Sequence, residues 1–340
     1  MKKLFAAASV LALGATGAIA QELNIYNWGN YTNPKLIEKF EAETGIDVTI
    51  TDYDSNDTAL AKVKAGGHGF DIVVPSATYV PIWVSEGLLE ETRPDQMENF
   101  SNMDPVWIDV PWDEGRHYTV PWQWGTTGIA VNTKYYDGDI DTSAIFMDPP
   151  EELKGKINVV PEMGDVMGLA IMYYGGEPCT NDKEILKQVR DGLVEAKKSW
   201  LGMDYGNIEK FAKEDVWAGV NWNGSTFRMR LANENIAYGY PKEGYVVWMD
   251  SVAVLKDAQN MEEAKTFQNF IMKPENAALI SEFARYANGI KGSEEFMPED
   301  MKTAREINIP EELKDKGTFL PTCDPDTQAL YTRIWTDLQK

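Results

Sequence analysis

The chain has 340 residues, of which 54 are Asp or Glu and 32 are Lys or Arg, so its formal net charge is −22 at pH 7. An acidic surface of this kind repels phosphate backbones and attracts cations. It therefore argues against a nucleic-acid partner and is compatible with a cationic ligand, although solubility alone also explains it. At this length we expect two domains of about 150 residues each.

The first twenty residues have the pattern of an export signal. Lys2 and Lys3 precede an apolar run from Leu4 to Ile19, and small residues precede the expected cleavage after Ala20. The run is too short for a membrane span, and no later segment is long and apolar enough for one. We expect residues 1–20 to be removed and the mature chain to reach the periplasm without being embedded in a membrane. A retained N-terminal anchor is the alternative.

Short β-rich segments alternate with amphipathic segments along the rest of the chain. This alternation predicts an α/β fold built on mostly parallel sheets flanked by helices. The predicted strands are 23–27, 46–50, 70–74, 129–132, 157–160, 219–222 and 246–254. The predicted helices are 34–44, capped by Asn33 and ended by Gly45, then 57–65, 166–174 and 183–200, followed by two helices within 261–283 that are separated at Pro274.

Two of these segments are predicted to pass between lobes. Residues 125–128 lead directly into a strand, and the stretch 246–254 is too long for an isolated short strand. We therefore expect lobe 1 to consist of residues 21–127 plus 254–305 and lobe 2 of residues 128–253 plus 306–340. A hinge joins them, near 126–129 and 251–254, and a ligand cleft lies between them.

The chain contains two cysteines, Cys179 and Cys323. An exported protein folds where disulfides are permitted, and an even count is compatible with one bridge. Two buried thiols are equally compatible with the sequence, which leaves their pairing open.

Signatures of enzymes and of metal sites are scarce. The chain has no GxSxG, HExxH or GxxxxGK[ST] motif, and its two histidines, His68 and His117, lack spaced partners. Acid pairs such as Glu41 and Glu43 are common on solvated helix faces. We expect no enzyme activity, no metal and no cofactor. An exported hydrolase that uses paired carboxylates is the less favoured alternative.

Several aromatic residues lie at strand ends beside polar turns. Trp28 and Tyr31 follow the first strand, Trp222 ends a later strand, and Trp248 precedes Asp250 in the second predicted crossing. Ligands of open α/β sheets bind outside the carboxyl ends of strands. Aromatic faces attract an alkyl ammonium and cover its methylenes, while carboxylates supply charge-assisted hydrogen bonds. Together these residues predict a site for a cationic ligand.

Five short strings, in their order and spacing, resemble the periplasmic spermidine/putrescine-binding proteins of ABC transporters, a family of extracellular solute-binding proteins. They are Tyr26-Asn27-Trp28, Val73-Val74-Pro75-Ser76, Trp222-Asn223-Gly224-Ser225, Pro241-Lys242-Glu243-Gly244 and Trp248-Met249-Asp250-Ser251. The resemblance covers nearly the whole mature chain. It implies the periplasmic binding protein fold, a linear polyamine as ligand, and a permease with its ATPase as partners. We expect the protein to act as a monomer.

The resemblance also implies roles for individual positions. Trp28, Tyr31, Trp222 and Trp248 become aromatic walls of the cleft, and Asp250 meets an ammonium group. Glu162 and Asp165 become acids for another amine, although both open a helix and could serve its dipole instead. Three further positions, Ser76, Tyr79 and Tyr286, are expected to line the cleft.

Two positions depart from the family pattern. Asn30 stands where relatives commonly carry an acid, and Thr78 stands near a position that is often aromatic in the spermidine type. Ser225, by contrast, resembles the spermidine branch, since an acid replaces it in the putrescine branch. The strings therefore favour spermidine over putrescine. Another amine or a zwitterion, such as agmatine or an amino acid, remains an alternative.

Overall fold

A computed structural model describes residues 21–340, and the predicted export signal lies outside the described residues. The strands are β1 (Gln21–Trp28), β2 (Ile46–Tyr53), β3 (Ile72–Val73), β4 (Asp109–Val110), β5 (Asp113–Glu114), β6 (Thr119–Asn132), β7 (Ile157–Val159), β8 (Trp200–Met203), β9 (Ala218–Trp222), β10 (Ile236–Gly239), β11 (Tyr245–Val254) and β12 (Gly317–Phe319).

The α-helices surround these strands. They are α1 (Pro34–Thr44), α2 (Asn56–Lys64), α3 (Val80–Ser85), α4 (Ala144–Met147), α5 (Met163–Tyr173), α6 (Lys183–Lys197), α7 (Asn207–Ala212), α8 (Asn223–Ala232), α9 (Met261–Ile271), α10 (Pro274–Ala284) and α11 (Pro325–Gln339). Short 3₁₀ helices lie at Pro94–Gln96, Glu98–Asn102, Pro105–Trp107, Glu151–Leu153, Ser293–Glu295, Glu299–Lys302 and Glu311–Lys316.

Ten strands form one continuous sheet in the order β2-β1-β3-β11-β6-β9-β7-β8, with β10 paired to β6 and β12 paired to β11. Strands β1, β2 and β3 run parallel to one another, and so do β7, β8 and β9. The long strands β6 and β11 are antiparallel to each other and join the two parallel groups. The predicted α/β fold with mostly parallel strands flanked by helices is confirmed, but the sheets expected for the two lobes are two parallel groups within one continuous sheet.

Two hydrophobic clusters lie on either side of this junction. The first packs α1, α9 and α10 against β1 to β3, and the second packs α5, α6 and α11 against β7 and β9. In β6, Trp122 belongs to the first cluster and Ile129 to the second; in β11, Val246 belongs to the second and Val252 to the first. Each long strand therefore packs in the first cluster at one end and in the second at the other. The length of 246–254 pointed to this for β11, whereas β6 is much longer than the predicted strand 129–132 and takes in residues 125–128.

An irregularity in the β6–β11 pairing marks the crossing. Asp250 faces Gln123 while Ser251 faces Pro121, so Trp122 is an extra residue on β6. A bulge of this kind bends the strand and redirects neighbouring side chains. Here it lies beside Asp250, where the chain passes between lobes.

The predicted lobe boundaries stay a prediction, and the clusters supply two details about them. Val252 and Ala253, at the predicted end of a lobe 2 segment, pack in the first cluster. Met301 and Ala304, at the predicted end of lobe 1, pack with Phe227 of α8 in a small separate cluster.

Local signals predicted several boundaries correctly. The Asn33 side chain accepts a hydrogen bond from the Lys35 amide at the start of α1, Gly45 ends that helix with φ 74°, and Pro274 separates α9 from α10. The predicted helix 183–200 was too long, because α6 ends at Lys197 and Trp200 begins β8. The predicted strand 70–74 is reduced to β3, and α11 was not predicted.

Cys179 and Cys323 form a disulfide with a Cα–Cα distance of 5.2 Å. This bridge settles the pairing that the sequence left open. It fastens the segment between β12 and α11 to the loop that follows α5. Among residues 21–340, no helix is both long and apolar enough to cross a membrane.

Candidate functional site

A cavity of about 730 Å³, partly open to solvent, lies between the two hydrophobic clusters. Nine of the eleven predicted site residues line it, and together they combine aromatic rings, carboxylates and hydroxyls. These are Trp28, Tyr31, Ser76, Glu162, Asp165, Trp222, Trp248, Asp250 and Tyr286.

The ends of strands bring these residues together. Trp28 is the last residue of β1 and Trp222 the last of β9, while Glu162 and Asp165 open α5 just after β7. Because the parallel strands of each lobe point their carboxyl ends toward the junction, residues that follow them meet in the cleft. Trp28 and Trp222 thus lie at strand ends and line the cavity, as the sequence predicted.

Asp250, on the crossing strand β11, is the centre of a hydrogen-bonded group whose other members follow β1 and β3. Ser76 Oγ donates to Asp250 Oδ1 over 2.6 Å, and Tyr31 Oη donates to Asp250 Oδ2 over 3.0 Å. Asn56 holds Ser76 in turn, with its Nδ2 3.0 Å from Ser76 Oγ. The carboxylate is thus fixed in position, with hydrogen-bond capacity left on its oxygens for a ligand.

Two further carboxylates lie at the start of α5. Trp222 Nε1 donates to Asp165 Oδ2 over 2.8 Å, which fixes the indole and the acid together. Glu162 occupies the N-cap position of α5 but makes no side-chain capping hydrogen bond. Its Oε2 is shielded from solvent and has no partner among the described residues. A role at the start of the helix therefore does not account for Glu162 Oε2, which remains able to accept a hydrogen bond from a ligand.

Burial raises the pKa of all three carboxyls. The pKa of Asp250 rises to about 7 despite the opposing hydrogen bonds from Ser76 and Tyr31. The pKa of Asp165 rises to about 6, although its hydrogen bond from Trp222 lowers it. Burial, followed by the charges of Asp165, Asp57 and Asp250, holds the pKa of Glu162 well above its ordinary value. A bound cation would stabilise the ionised form of each acid.

Aromatic rings form the walls around these acids. Trp248 and Tyr286 meet edge to face with ring centroids 5.0 Å apart, and Tyr31 meets Tyr286 in the same way at 5.7 Å. The indole N–H of Trp248 is buried without a partner among the described residues. Stacked and edge-on rings offer negative π faces to a cation and apolar surface to its methylenes.

Tyr286 is held against the first turn of α8. Its hydroxyl lies 2.9 Å from Ser225 Oγ and accepts a hydrogen bond from the Ser225 amide over 3.2 Å. A Cβ on Gly224 would lie 2.5 Å from the Tyr286 ring, so the close approach requires glycine at that position.

Two predicted site residues do not line this cavity. Asn30 is exposed and adopts a left-handed conformation with φ 56°, which suits a turn after β1. Tyr79 donates from its hydroxyl to Asp57 Oδ1 over 2.8 Å and borders a second cavity, of about 1070 Å³, near the disulfide. Thr78 borders both cavities, and its carbonyl accepts a hydrogen bond from Thr322 Oγ1 over 2.9 Å.

Residues from distant segments complete the lining, and sequence reasoning missed them. Tyr205 packs against Trp222 with centroids 5.5 Å apart and donates from its hydroxyl to the Gly29 carbonyl over 3.0 Å. Arg228 follows Ser225 by one helical turn on α8. Asn56, Phe319 and Leu320 also border the cavity. For Arg228 the sequence offers one signal, because a spacing of three residues places it on the same face of α8 as Ser225. For the other residues it offers none.

The charge and shape of this arrangement suit a cation. Asp250 is engaged by Ser76 and Tyr31, Asp165 is engaged by Trp222, and aromatic rings surround the acids. Within residues 21–340, no group of three or more His, Cys, Asp or Glu side chains could hold a metal ion. Two α/β lobes joined by crossing strands, with a polar and aromatic cleft between them, define a solute-binding protein.

The chain belongs to the family of bacterial extracellular solute-binding proteins, whose family model matches residues 35–308. Proteins of this family bind substrates for ABC transporters and are not enzymes. Family membership therefore gives no support to the exported-hydrolase alternative.

Three relatives show how far the similarity extends. The spermidine/putrescine-binding periplasmic protein of Escherichia coli K12 is 33% identical over 97% of this chain and 91% of its own length. The putrescine-binding periplasmic protein PotF of the same organism is 27% identical over 97% and 94%. The solved structure of a putative spermidine/putrescine ABC transporter protein from Listeria monocytogenes has a TM-score of 0.88 at 30% identity and covers 94% of this chain and 99% of that one.

Proposed function

We propose that this protein is the periplasmic binding component of an ABC importer and that its ligand is a polyamine. The observation that carries the proposal is the convergence of Glu162, Asp165 and Asp250 in a cleft walled by aromatic rings. The names of the relatives support the same ligand class.

The chemistry of the cleft fits an alkyl ammonium chain. Each buried carboxyl bears a raised pKa, so its ionised form is poorly compensated in the protein alone. An ammonium group stabilises the ionised carboxylate by its charge and by hydrogen bonds. The same interaction offsets the free energy that the ammonium loses when it leaves water. Glu162 Oε2, which has no partner among the described residues, retains acceptor capacity for an ammonium group at the cavity.

Closure of the two lobes on the ligand would follow from contacts made to both lobes at once. Asp250 lies at the crossing, Tyr31 precedes α1, and Trp222 lies at the end of β9, so one ligand would contact both sides. The proposed partners are a permease and its ATPase, and the proposed working form is a monomer in the periplasm.

Within the polyamine class, the Trp-Asn-Gly-Ser and Trp-Met-Asp-Ser strings favour spermidine over putrescine. Isothermal titration of the mature protein with both amines tests the class and the ranking in one experiment. We expect saturable binding of at least one amine at micromolar protein. Absence of heat and of thermal stabilisation with both amines would refute the proposed function.

An amine that also carries a carboxylate is the second candidate, and Arg228 is the observation that favours it. Its guanidinium borders the same cavity as the three acids. A thermal-shift series that includes agmatine and amino acids separates this candidate from the first. Stabilisation by carboxylate-bearing ligands alone would select it.

A further inference from the structure

Arg228 places a positive charge in the cleft that we propose for polyamines. It lies on α8, one turn after Ser225, and lines the cavity that contains Glu162, Asp165 and Asp250. In a chain with 22 more acidic than basic side chains, a guanidinium inside a cation site is unexpected. The following inference rests on the proposed function.

Two contacts hold the guanidinium at this place. Nη1 donates to the Asn30 carbonyl over 3.0 Å, and the guanidinium carbon lies 6.0 Å from the centroid of the Phe283 ring. Nε is shielded from solvent and has no partner among the described residues. None of the ion pairs found within residues 21–340 neutralises this charge.

A chain of contacts orders the cleft from its acids to Arg228. Tyr31 hydrogen-bonds Asp250 and meets Tyr286 edge to face, and Tyr286 hydrogen-bonds Ser225, one turn before Arg228. Burial is the main cause that raises the pKa of Tyr286, while the charge of Arg228 lowers it and the charge of Asp250 raises it. Tyr286 therefore lies between an acidic region of the cleft and a basic one.

These positions have different consequences for short and long polyamines. A diamine can place both ammonium groups near the three carboxylates. A longer triamine must extend along the aromatic walls, and its additional ammonium approaches Arg228, where like charges repel. With all three acids ionised, three negative charges and the one positive charge of Arg228 give the lining a net charge of −2. The two ammonium groups of a diamine neutralise this charge.

We propose that Arg228 is a specificity determinant that disfavours a third ligand ammonium at the Tyr286 end of the cleft. Its charge acts against the preference for spermidine that the sequence strings predict. The ranking of the two amines in this protein therefore depends on Arg228.

The test is the ratio of spermidine to putrescine affinity in matched variants, measured by isothermal titration. Arg228→Met removes the charge and keeps an unbranched apolar side chain, whereas Arg228→Lys keeps the charge. We expect Arg228→Met to raise the spermidine:putrescine affinity ratio at least tenfold and Arg228→Lys to leave it within about threefold of the wild-type ratio.

Arg190→Met is the control for net charge. Arg190 is exposed on α6, where it pairs with Asp191, so its loss removes one positive charge away from the cleft. We expect its ratio to equal that of the wild type. A loss of folded protein affects both amines alike and cancels in the ratio.

Two results would overturn the inference while leaving the proposed function intact. One is binding of both amines with a ratio that Arg228→Met does not change, and the other is an equal change in Arg190→Met. A failure of the proposed function has a different signature, since neither amine would then bind the wild type or any variant, and the inference would fall with it.

Discussion

Tyr31 donates a hydrogen bond to Asp250 across 3.0 Å, although 219 residues separate them in the chain. The contact joins the loop before α1 to the strand that crosses between lobes. Ser76 holds the other carboxylate oxygen, so the acid is fixed from two segments of the first lobe. The following predictions begin from this arrangement.

Replacing Asp250 with Asn should weaken polyamine binding at least tenfold. Asn preserves the shape, and its Oδ1 can accept from one of the two hydroxyls while its NH2 donates to the other, but it removes the charge that an ammonium group needs. Isothermal titration measures the loss. Asp191→Asn, an exposed change on α6, is the control and should bind as the wild type does. Unchanged affinity in Asp250→Asn would remove this residue from the site.

The stability of the ligand-free protein should carry a pH dependence from the cleft acids. The pKa of Asp250 is raised to about 7 and that of Asp165 to about 6, so the folded state holds protons that the unfolded state has already released. The contribution of each acid to the free energy of unfolding is therefore fully present at and below the pKa of the unfolded state, near 4. It declines as pH rises to about 6 or 7 and is constant above.

Denaturant unfolding of wild type and Asp250→Asn between pH 5 and pH 8 measures this effect. The stability of the variant relative to the wild type should increase with pH over that range, because both proteins ionise Asp165 and Glu162 but only the wild type must also ionise a buried acid at position 250. Asp191→Asn should show a constant difference. A constant difference in Asp250→Asn as well would mean that its carboxyl titrates normally.

Replacing Trp222 with Phe should make polyamine binding more sensitive to acid. The indole N–H hydrogen-bonds Asp165 over 2.8 Å and lowers its pKa, so the variant acid should hold its proton to higher pH. The affinity loss should therefore be larger at pH 6 than at pH 8. Trp248→Phe is the matched control, because within residues 21–340 the Trp248 N–H has no carboxylate partner, and its affinity loss should be similar at both pH values. Equal losses in Trp222→Phe at the two pH values would contradict the proposed coupling.

Removing the Cys179–Cys323 bridge should destabilise the protein by about 2–5 kcal/mol, the usual range for a native disulfide. The bridge closes a loop of 144 residues and anchors the segment that carries Phe319 and Leu320 to the cavity. Denaturant unfolding of the double Cys→Ser variant, and of the wild type with reductant, measures the effect. The reductant should not alter the variant. Equal stability with and without the bridge would show that packing alone holds this segment.

Local signals accounted for much of the architecture. The Asn33 cap, the Pro274 break and the long apolar strand 246–254 depend on backbone preferences and periodicity within a few residues, and each was predicted in place. The helix over 183–200 was wrong at its end because Trp200 fits a helical pattern but pairs with Ile157 in the sheet. That pairing depends on a segment more than 40 residues away.

The candidate site likewise has some features that follow from local sequence and others that depend on remote segments. The sequence by itself determined that aromatic residues follow strand ends, and in an α/β sheet this order brings Trp28 and Trp222 to one cleft. Asp165 was expected there only from the family resemblance. The sequence did not determine the direction of the Asn30 side chain, which the left-handed turn leaves exposed. Only the tertiary structure brought Arg228 and Tyr205 into the cleft, paired the cysteines, and buried the acids enough to raise their pKa. Those properties depend on distances between remote segments, and packing of the two lobes sets these distances.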